Sequence, residues 1–473
     1  MASRDAARPN VVFVVADDLG SWALGAYGNE AALTPTLDGL SAGGVRLDRF
    51  FCTSPVCSPA RASMLTGQIP SQHGVHDWIA AGHGGPTGVD YLAGRTTLDA
   101  LAAAAGYRVG LSGKWHLGAS DQPPEGFVHW FARESGGGPY FGAPMFRGRE
   151  RLSVEGYLTD ALADDAITFV ESEAERGAAE PFLLHLHFTA PHSPWVDSHP
   201  QELVALFEDR ELRSWPEEPP HPWLLLHNKE VAAAVVEPER SLQGYFAAVA
   251  GLDRALGRVL GSVESIGLTE STLVVFVSDN GFNCGQHGIW GKGNGTFPQN
   301  MFDTSVLVPG IFSQPGRIPP GSSSALLSGY DVLPSLVEYL GLDWEVPLSL
   351  PGRSFAPLLG GSGGRDAGGG HVVVFDEYGP VRMLRTAEWK YVERRAGPDE
   401  LYDLATDPHE TCNLAGMAFH AEREACLREE LRRWFARYVD PANDGFALPV
   451  NGLGQVHPST PGHPAGFVPF PED

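Results

Sequence analysis

Cys57 stands four residues before Arg61 in the stretch SPVCSPARASMLTG, residues 54–67. A structural cysteine belongs in an apolar strand or helix. This one sits among turn-forming residues beside a permanent cation, the setting that lowers a thiol's pKa and makes it a nucleophile. Ser58 and Thr66 share the stretch, so residue types alone leave the nucleophile open among Cys57, Ser58 and Thr66. Two pairs of oxygen donors stand elsewhere, Asp17-Asp18 in VVADDLG and Asp279-Asn280 in VSDNG. Carboxylates and an amide oxygen are hard ligands that suit Ca²⁺ or Mg²⁺ rather than zinc, and a thiol is a poor partner for such an ion. Taken singly, the first pair reads as a solvated turn or helix cap and the second as an Asx turn. Both at strand ends in one chain favour a metal site. Lys114 and His116 are two apart in GKWHLG, which points them the same way in an extended segment. His192 lies in APHSPW and Lys292 in GIWGKG. Each alone reads as a surface lysine or a backbone-bonded histidine. Together with Arg61 they make a cationic set in Gly/Pro loops, suited to clamping sulfate or phosphate oxygens.

Such a set needs strands that end in one place. NVVFVV, residues 10–15, is a β-branched run that breaks at ADDLG. Residues 97–118 read as helix, glycine stop, strand and polar loop. Residues 179–195 read as a strand running into a Pro/His loop, and LVVFVSD as a strand followed by Asn-Gly. VLVPGIF adds a strand and YDVLPSLVEYLGL a helix. In open α/β sheets ligands gather beyond the carboxyl ends of the strands, where these four polar loops begin. Two Gly-rich, aromatic stretches, 76–94 and 134–150, and a Pro/Trp/His region at 196–228, a candidate lid, are long loops of the functional kind. Near residue 360 the texture changes. GGSGGRDAGGG (360–370) reads as a linker, followed by short antiparallel strands and a helix over 418–439. The expected organisation is a large α/β catalytic domain over 8–360, a small α+β unit over 371–440 and a surface-wrapping tail over 441–473.

Composition bounds the function. The 473 residues are 43% hydrophobic, enough for a sizeable core and too many for one minimal domain. A formal charge of −25 excludes the basic footprint that nucleic acid or an anionic membrane surface requires. The five cysteines form no CxxC pair and no regular framework, and the first residues carry no apolar leader. The expectation is a soluble, cytoplasmic protein with reduced thiols.

The segment Cys57-Ser58-Pro59-Ala60-Arg61, followed by Leu65-Thr66-Gly67, resembles the signature of the formylglycine-dependent, type I sulfatases of the alkaline phosphatase-like superfamily. Further blocks resemble that family in order: PNVVFVVADDLG, GYRVGLSGKWHLG, APHSPW, SDNG, GIWGKG and KYVERRAGPDELYDLATDPHETCNLA. The resemblance spans roughly residues 8–416, with Ser at position 58 as a small, tolerated departure. It implies a large mixed β-sheet sandwiched by helices, with a smaller C-terminal antiparallel-sheet subdomain. It also implies that a maturation enzyme oxidises Cys57 to Cα-formylglycine, whose hydrate supplies an oxygen nucleophile. Asp17, Asp18, Asp279 and Asn280, with residue 57, would then hold one Ca²⁺, with Mg²⁺ as the other hard ion. Arg61 would orient the diol, Lys114 and Lys292 would bind sulfate oxygens, and His192 with Lys292 would protonate the leaving alcohol. His116 would take the proton that lets the aldehyde reform and sulfate leave.

Less specific candidates surround this set. His73, His76, Asp77 and Trp78 read as the pocket mouth, His287 as support for Lys292, and Tyr140, Phe141, Trp195 and Trp215 as stacking surfaces for a sugar or aromatic ring, each weighed against simple packing. Cys284 reads as a buried thiol. The implied activity is hydrolysis of a small sulfated carbohydrate or aryl sulfate. The alternatives are phosphonate monoester or phosphodiester hydrolysis on the same scaffold, or a relative that keeps the fold without the chemistry. The residues do not specify an oligomeric state.

Overall fold

The computed structural model describes residues 8–80, 89–176, 180–212, 218–226, 229–361, 374–459 and 466–469. Trp215, residues 81–88 of the first long loop, most of the glycine linker and parts of the tail lie outside them. Strands run, in chain order, as β1 (Asn10–Asp17), β2 (Val45–Phe51), β3 (Arg108–Gly113), β4 (Phe127–Arg133), β5 (Ala143–Arg147), β6 (Glu150–Val154), β7 (Phe182–Pro191) and β8 (Thr272–Ser278). A two-residue ribbon, β9 (Asn283–Cys284) with β10 (Trp290–Gly291), precedes β11 (Leu307–Ser313), β12 (Gly321–Ser323) and β13 (Leu327–Ser328). These strands, apart from the ribbon, build one mixed sheet in the order β12-β2-β11-β8-β1-β7-β3-β4-β5-β6, with β13 also on β2.

The centre of that sheet is parallel: β1 lies between β7 and β8, and β3 pairs β7. Parallel strands covered on both faces read as unbroken apolar runs, because each face must be dry. In β1, Val11, Phe13 and Val15 pack into one core and Val12, Val14 and Ala16 into the other. Helices cover both faces. Leu158–Arg176 and the 28-residue helix Pro238–Ser265 pack on the second core, and Val332–Leu340 on the first. This is the layered architecture that the sequence implies, and four central strands release polar loops at the same sheet edge.

A second, four-stranded antiparallel sheet holds Val374–Tyr378, Val381–Arg385, Trp389–Arg394 and Glu400–Asp403 in that order. The helix Ala421–Tyr438 buries Leu427, Leu431 and Phe435 against it. Among the described residues, no helix is long and apolar enough to cross a membrane, and all five cysteines are free.

The chain beyond this helix returns to the segment 74–80 of the large domain. Gln455 is fully buried. Its Oε1 accepts from the backbone N–H groups of His76 (2.7 Å) and Asp77 (3.1 Å), and its Nε2 donates to the carbonyls of Gly74 (2.8 Å) and His457 (2.7 Å). Its own backbone bonds Trp78 and Ala80. Asp77 completes the clasp, accepting from Tyr378 Oη (2.5 Å) and from the N–H groups of Gly452 and Gly454, each at 3.1 Å. Removing the amide leaves several buried backbone groups without partners, at about 1–3 kcal/mol each before relaxation. Gln455→Ala is therefore expected to lower stability by about 2–4 kcal/mol in total, read as a shift of the unfolding midpoint. An unchanged midpoint would show that this clasp is dispensable.

Candidate active site

Most of SPVCSPARASMLTG is a helix rather than a turn. Cys57–Thr66 is α-helical, Val56 is extended before it and Gly67 closes it in the left-handed region at φ 67°. Pro59 does not interrupt the helix because it falls in the first turn, where an amide N–H has no intrahelical partner to lose. Cys57 is thus the first helical residue, with its side chain at the floor of a cavity of about 820 Å³ that Asp18, His116, His192 and Lys292 also line. The other two hydroxyls of the segment are committed elsewhere. Ser58 Oγ donates to the His116 carbonyl (3.0 Å) and accepts from Ile79 N–H (3.1 Å). Thr66 Oγ1 donates to the Ala62 carbonyl (2.6 Å).

The carboxylates arrive from two adjacent strands. Asp17 ends β1, Asp18 follows it in the left-handed region at φ 65°, and Asp279-Asn280 follow β8. All four are buried. Lys114 Nζ lies 2.6 Å from Asp17 Oδ2, Lys292 Nζ 2.5 Å from Asp18 Oδ1, and Arg61 Nε 2.8 Å from Asp279 Oδ2. Asn280 Nδ2 donates to Asp18 Oδ1 at 2.7 Å. Lys292 Nζ also donates to Cys57 Sγ at 2.8 Å. Three carboxylates face three cations, so the cluster is neutral as a whole.

Burial pushes the carboxyl of Asp17 up, but Lys114, His192 and Lys292 hold it below the usual range. At Asp18 burial is likewise outweighed, by Lys292 and His192. Asp279 is raised, because burial and the Asp17 charge outweigh Arg61 and Lys114. Burial pushes the Cys57 thiol up to about 11 despite Lys114 and Lys292. This corrects the expectation of a lowered thiol pKa beside Arg61: the guanidinium is turned to Asp279, and the thiol stays protonated at neutral pH.

The donor set fits a hard cation. One ligand atom each from Asp17, Cys57 and Asp279 lie within 4.8 Å of one another, as do those of Asp17, Asp18 and His192. Asp17 Oδ1 and Asn280 Oδ1 are buried without a hydrogen-bond partner, and buried oxygens of that kind are costly unless something positive meets them. A dication there would also relieve the Asp17–Asp279 repulsion.

The histidines are set by the loops. His116 does not follow Lys114 in extended conformation. Its φ is 58°, so the shared direction expected from two-residue spacing does not hold. Its Nε2 faces the Ile79 carbonyl at 3.0 Å, while Nδ1 is buried and without a partner. Burial and Lys114 hold its pKa well below 6.5, so the ring is neutral, with its proton on Nε2 and a free lone pair on Nδ1. His192 Nδ1 faces the Ser193 carbonyl at 2.8 Å, and Nε2 lies 3.8 Å from Asp18 Oδ2. The Gly-rich loop explains itself here. A Cβ on Gly136 would overlap the His116 ring, and one on Gly137 would come 2.7 Å from His192 Cε1.

Several less specific candidates prove to be packing. Tyr140 is buried and donates to the His192 carbonyl at 2.7 Å, supporting the site rather than lining it. Phe141 is exposed and leans on Tyr157. His73 bonds Ser63, and His76 and Asp77 are buried in the clasp, whereas Trp78 and Trp195 line the cavity. His287 stacks on Phe302 at 3.7 Å, and Cys284 is a buried thiol. Of the candidate lid, Leu203, Phe207 and Leu212 are core residues, and Leu225 reaches the cavity. The support that residue types do not signal is Gln455, and Tyr140, expected to stack on a ligand, supports the site instead. Only the Gly-Gly-Gly run marks itself in the sequence.

A family model described as Sulfatase matches residues 9–342. Over 510 aligned positions the chain is 26% identical to an N-acetylglucosamine-6-O-sulfatase of Bacteroides thetaiotaomicron, covering 92% of this chain and 87% of that protein. It is 30% identical to human (Homo sapiens) arylsulfatase A, covering 86% of this chain and 83% of that one. A solved structure of a protein in complex with its substrate D-glucosamine-2-N,6-O-disulfate superposes with a TM-score of 0.76 at 24% identity, covering 92% of this chain and 99% of that one.

Gly136→Ala is expected to swing the His116 ring away from the Ile79 carbonyl while leaving the thermal midpoint within about 2 °C, because Gly136 itself belongs to neither core. A crystal structure of the variant with His116 undisturbed would contradict this account of the loop.

Proposed function

The chain belongs to the sulfatase family, and from that premise we propose that it cleaves the sulfate monoester of a small sulfated carbohydrate or aryl alcohol, with formylglycine at position 57 and one Ca²⁺. The observation that carries this reading is the position of Cys57. Its Sγ lies against Lys292 Nζ and within 4.8 Å of donor oxygens of Asp17 and Asp279. A protonated, soft sulfur is a poor occupant of that place, and an oxygen function is a good one. Conversion requires a formylglycine-generating enzyme as a partner in maturation.

Asp17, Asp18, Asp279 and Asn280 would hold the cation, which would polarise a sulfate oxygen and favour the ionised form of the nucleophile. Arg61 keeps Asp279 in place and adds positive charge beside residue 57. Lys292, which lines the cavity, and Lys114, buried behind it on Asp17, would place positive charge beside the sulfate oxygens and the departing alkoxide. Lys292 is held protonated, since Asp18 and the neighbouring acids outweigh its burial. His192 directs Nδ1–H to Ser193, so Nε2 is the atom that, in the imidazolium form of the ring, would give its proton to the leaving alcohol and leave the ring neutral. His116 Nδ1, neutral and without a partner, accepts the proton that residue 57 must lose as sulfate departs. The cavity walls beyond these groups include the half-buried Trp78, an apolar surface suited to a sugar or aryl face, with the buried Trp195 and Trp290 set deeper in the lining.

The test is the full chain expressed with a formylglycine-generating enzyme and Ca²⁺, assayed on an aryl sulfate, an aryl phosphonate monoester and an aryl phosphodiester. The aryl sulfate is expected to turn over fastest, with Cys57→Ala inactive and Lys292→Ala slower by about 100-fold or more in kcat. Chelation is expected to abolish turnover and Ca²⁺ to restore it. Near-wild-type rates for Cys57→Ala would overturn the mechanism, and faster phosphonate or diester turnover would overturn the substrate assignment.

A further inference from the structure

Behind the cations lies a line of buried ionisable groups that the mechanism above does not use. Asp99 sits in the first turn of the helix Leu98–Ala104, with 5% of its surface exposed. His185 and His187 are two apart on β7, which places both on one face, and both are buried. His185 Nε2 lies 2.5 Å from Asp99 Oδ1, and His185 Nδ1 lies 3.3 Å from His187 Nε2. His187 Nδ1 lies 3.1 Å from the main-chain oxygen of Lys114. The same oxygen accepts from Arg61 Nη1 at 3.0 Å, and Lys114 N–H donates to the His187 carbonyl at 2.9 Å. His187 therefore brackets the backbone of Lys114 from both sides.

These contacts dictate where the protons sit. A carbonyl oxygen only accepts, so the 3.1 Å contact with Lys114 assigns the His187 proton to Nδ1, over the longer 3.4 Å approach of the Arg61 Nη1 donor to the same nitrogen. Burial, His185 and Arg61 hold the His187 pKa well below 6.5, so the ring is neutral and Nε2 is a bare acceptor. His185 must then donate through Nδ1. Its Nε2 lies against Asp99 Oδ1 as an ion-pair contact in which neither atom makes a hydrogen bond. The Asp99 carboxylate closes the line at its far end, and the Lys114 carbonyl sets the order of donors from the near end.

We infer that Asp99, His185 and His187 are positioning residues that fix the Lys114 carbonyl on His187 and Arg61, and so hold the ammonium of Lys114 and the guanidinium of Arg61 in register. The inference rests on the assignment of those two cations to the sulfatase site. With the other His187 tautomer, a lone pair would face the Lys114 oxygen in a dry interior and the strand end would shift.

Asparagine can place an N–H near the position of Nδ1, and leucine cannot. In the matured, Ca²⁺-loaded full chain, His187→Leu is expected to lower kcat on an aryl sulfate about 10–100-fold with KM little changed, and His187→Asn to stay within about threefold of wild type. Equal loss in both variants, or no loss in the leucine variant, would overturn the inference. Nitrogen-15 NMR of the histidine-labelled wild-type protein reads the tautomer without any need for the variants to be active. A proton on His187 Nδ1 supports the relay, and a proton on Nε2 overturns it. Absence of sulfatase activity in the wild type would remove the sulfatase reading, and the NMR result would still decide the tautomer.

Discussion

Three carboxylates and three cations share one buried cluster, and each is tolerable there only because the others are present. Asp17, Asp18 and Asp279 are paired with Lys114, Lys292 and Arg61. Removing one member of a buried pair strands a charge at a cost of about 3–5 kcal/mol, so the set stands or falls together. The same balance makes the site responsive to ligands. A neutral cluster accepts a dication and an anionic ester with little change in total charge, and the crowding of Asp17 against Asp279 favours a cation.

The fold supplies that balance by topology. Parallel strands β1, β8, β7 and β3 end at one edge and deliver Asp17, Asp279, His192 and Lys114 within a few residues of their last hydrogen bonds. The helix starting at Cys57 brings residue 57 and Arg61 in on one turn of backbone. Main-chain contacts then set the fine geometry. Ile79 is held by Ser58 and in turn faces His116. The segment carrying Ile79 is itself clasped by Gln455, almost four hundred residues later. Gly136 and Gly137 lie flat on the two histidine rings because any side chain would displace them.

The chemistry was legible in the sequence to the extent that it depends on residue type. Buried parallel strands must be apolar on both faces, so their polar ends stand out, and Asp17, Asp18, Asp279, Lys114 and His192 all follow such runs. Cys57 was also conspicuous, but its secondary structure was misleading. Ser and Pro favour turns as isolated residues, and only the placement of Pro59 in a first helical turn reconciles them with a helix. His185 and His187 were invisible as functional candidates, since histidines inside an apolar strand read as packing until their partners are known.

The sequence by itself therefore determined the α/β class and the strand ends and offered a set of candidate groups, because these follow from local patterning and from the hard or soft character of side chains, while the choice of residue 57 among the hydroxyl and thiol candidates came from the family resemblance. Tertiary structure decided which of them meet. It turned Arg61 to Asp279 instead of the thiol, raised rather than lowered the Cys57 pKa, and chose the nitrogen of His116 that is left free. Those outcomes depend on burial and on partners tens to hundreds of residues away, and in a low-dielectric interior such neighbours outweigh the intrinsic preference of any single residue.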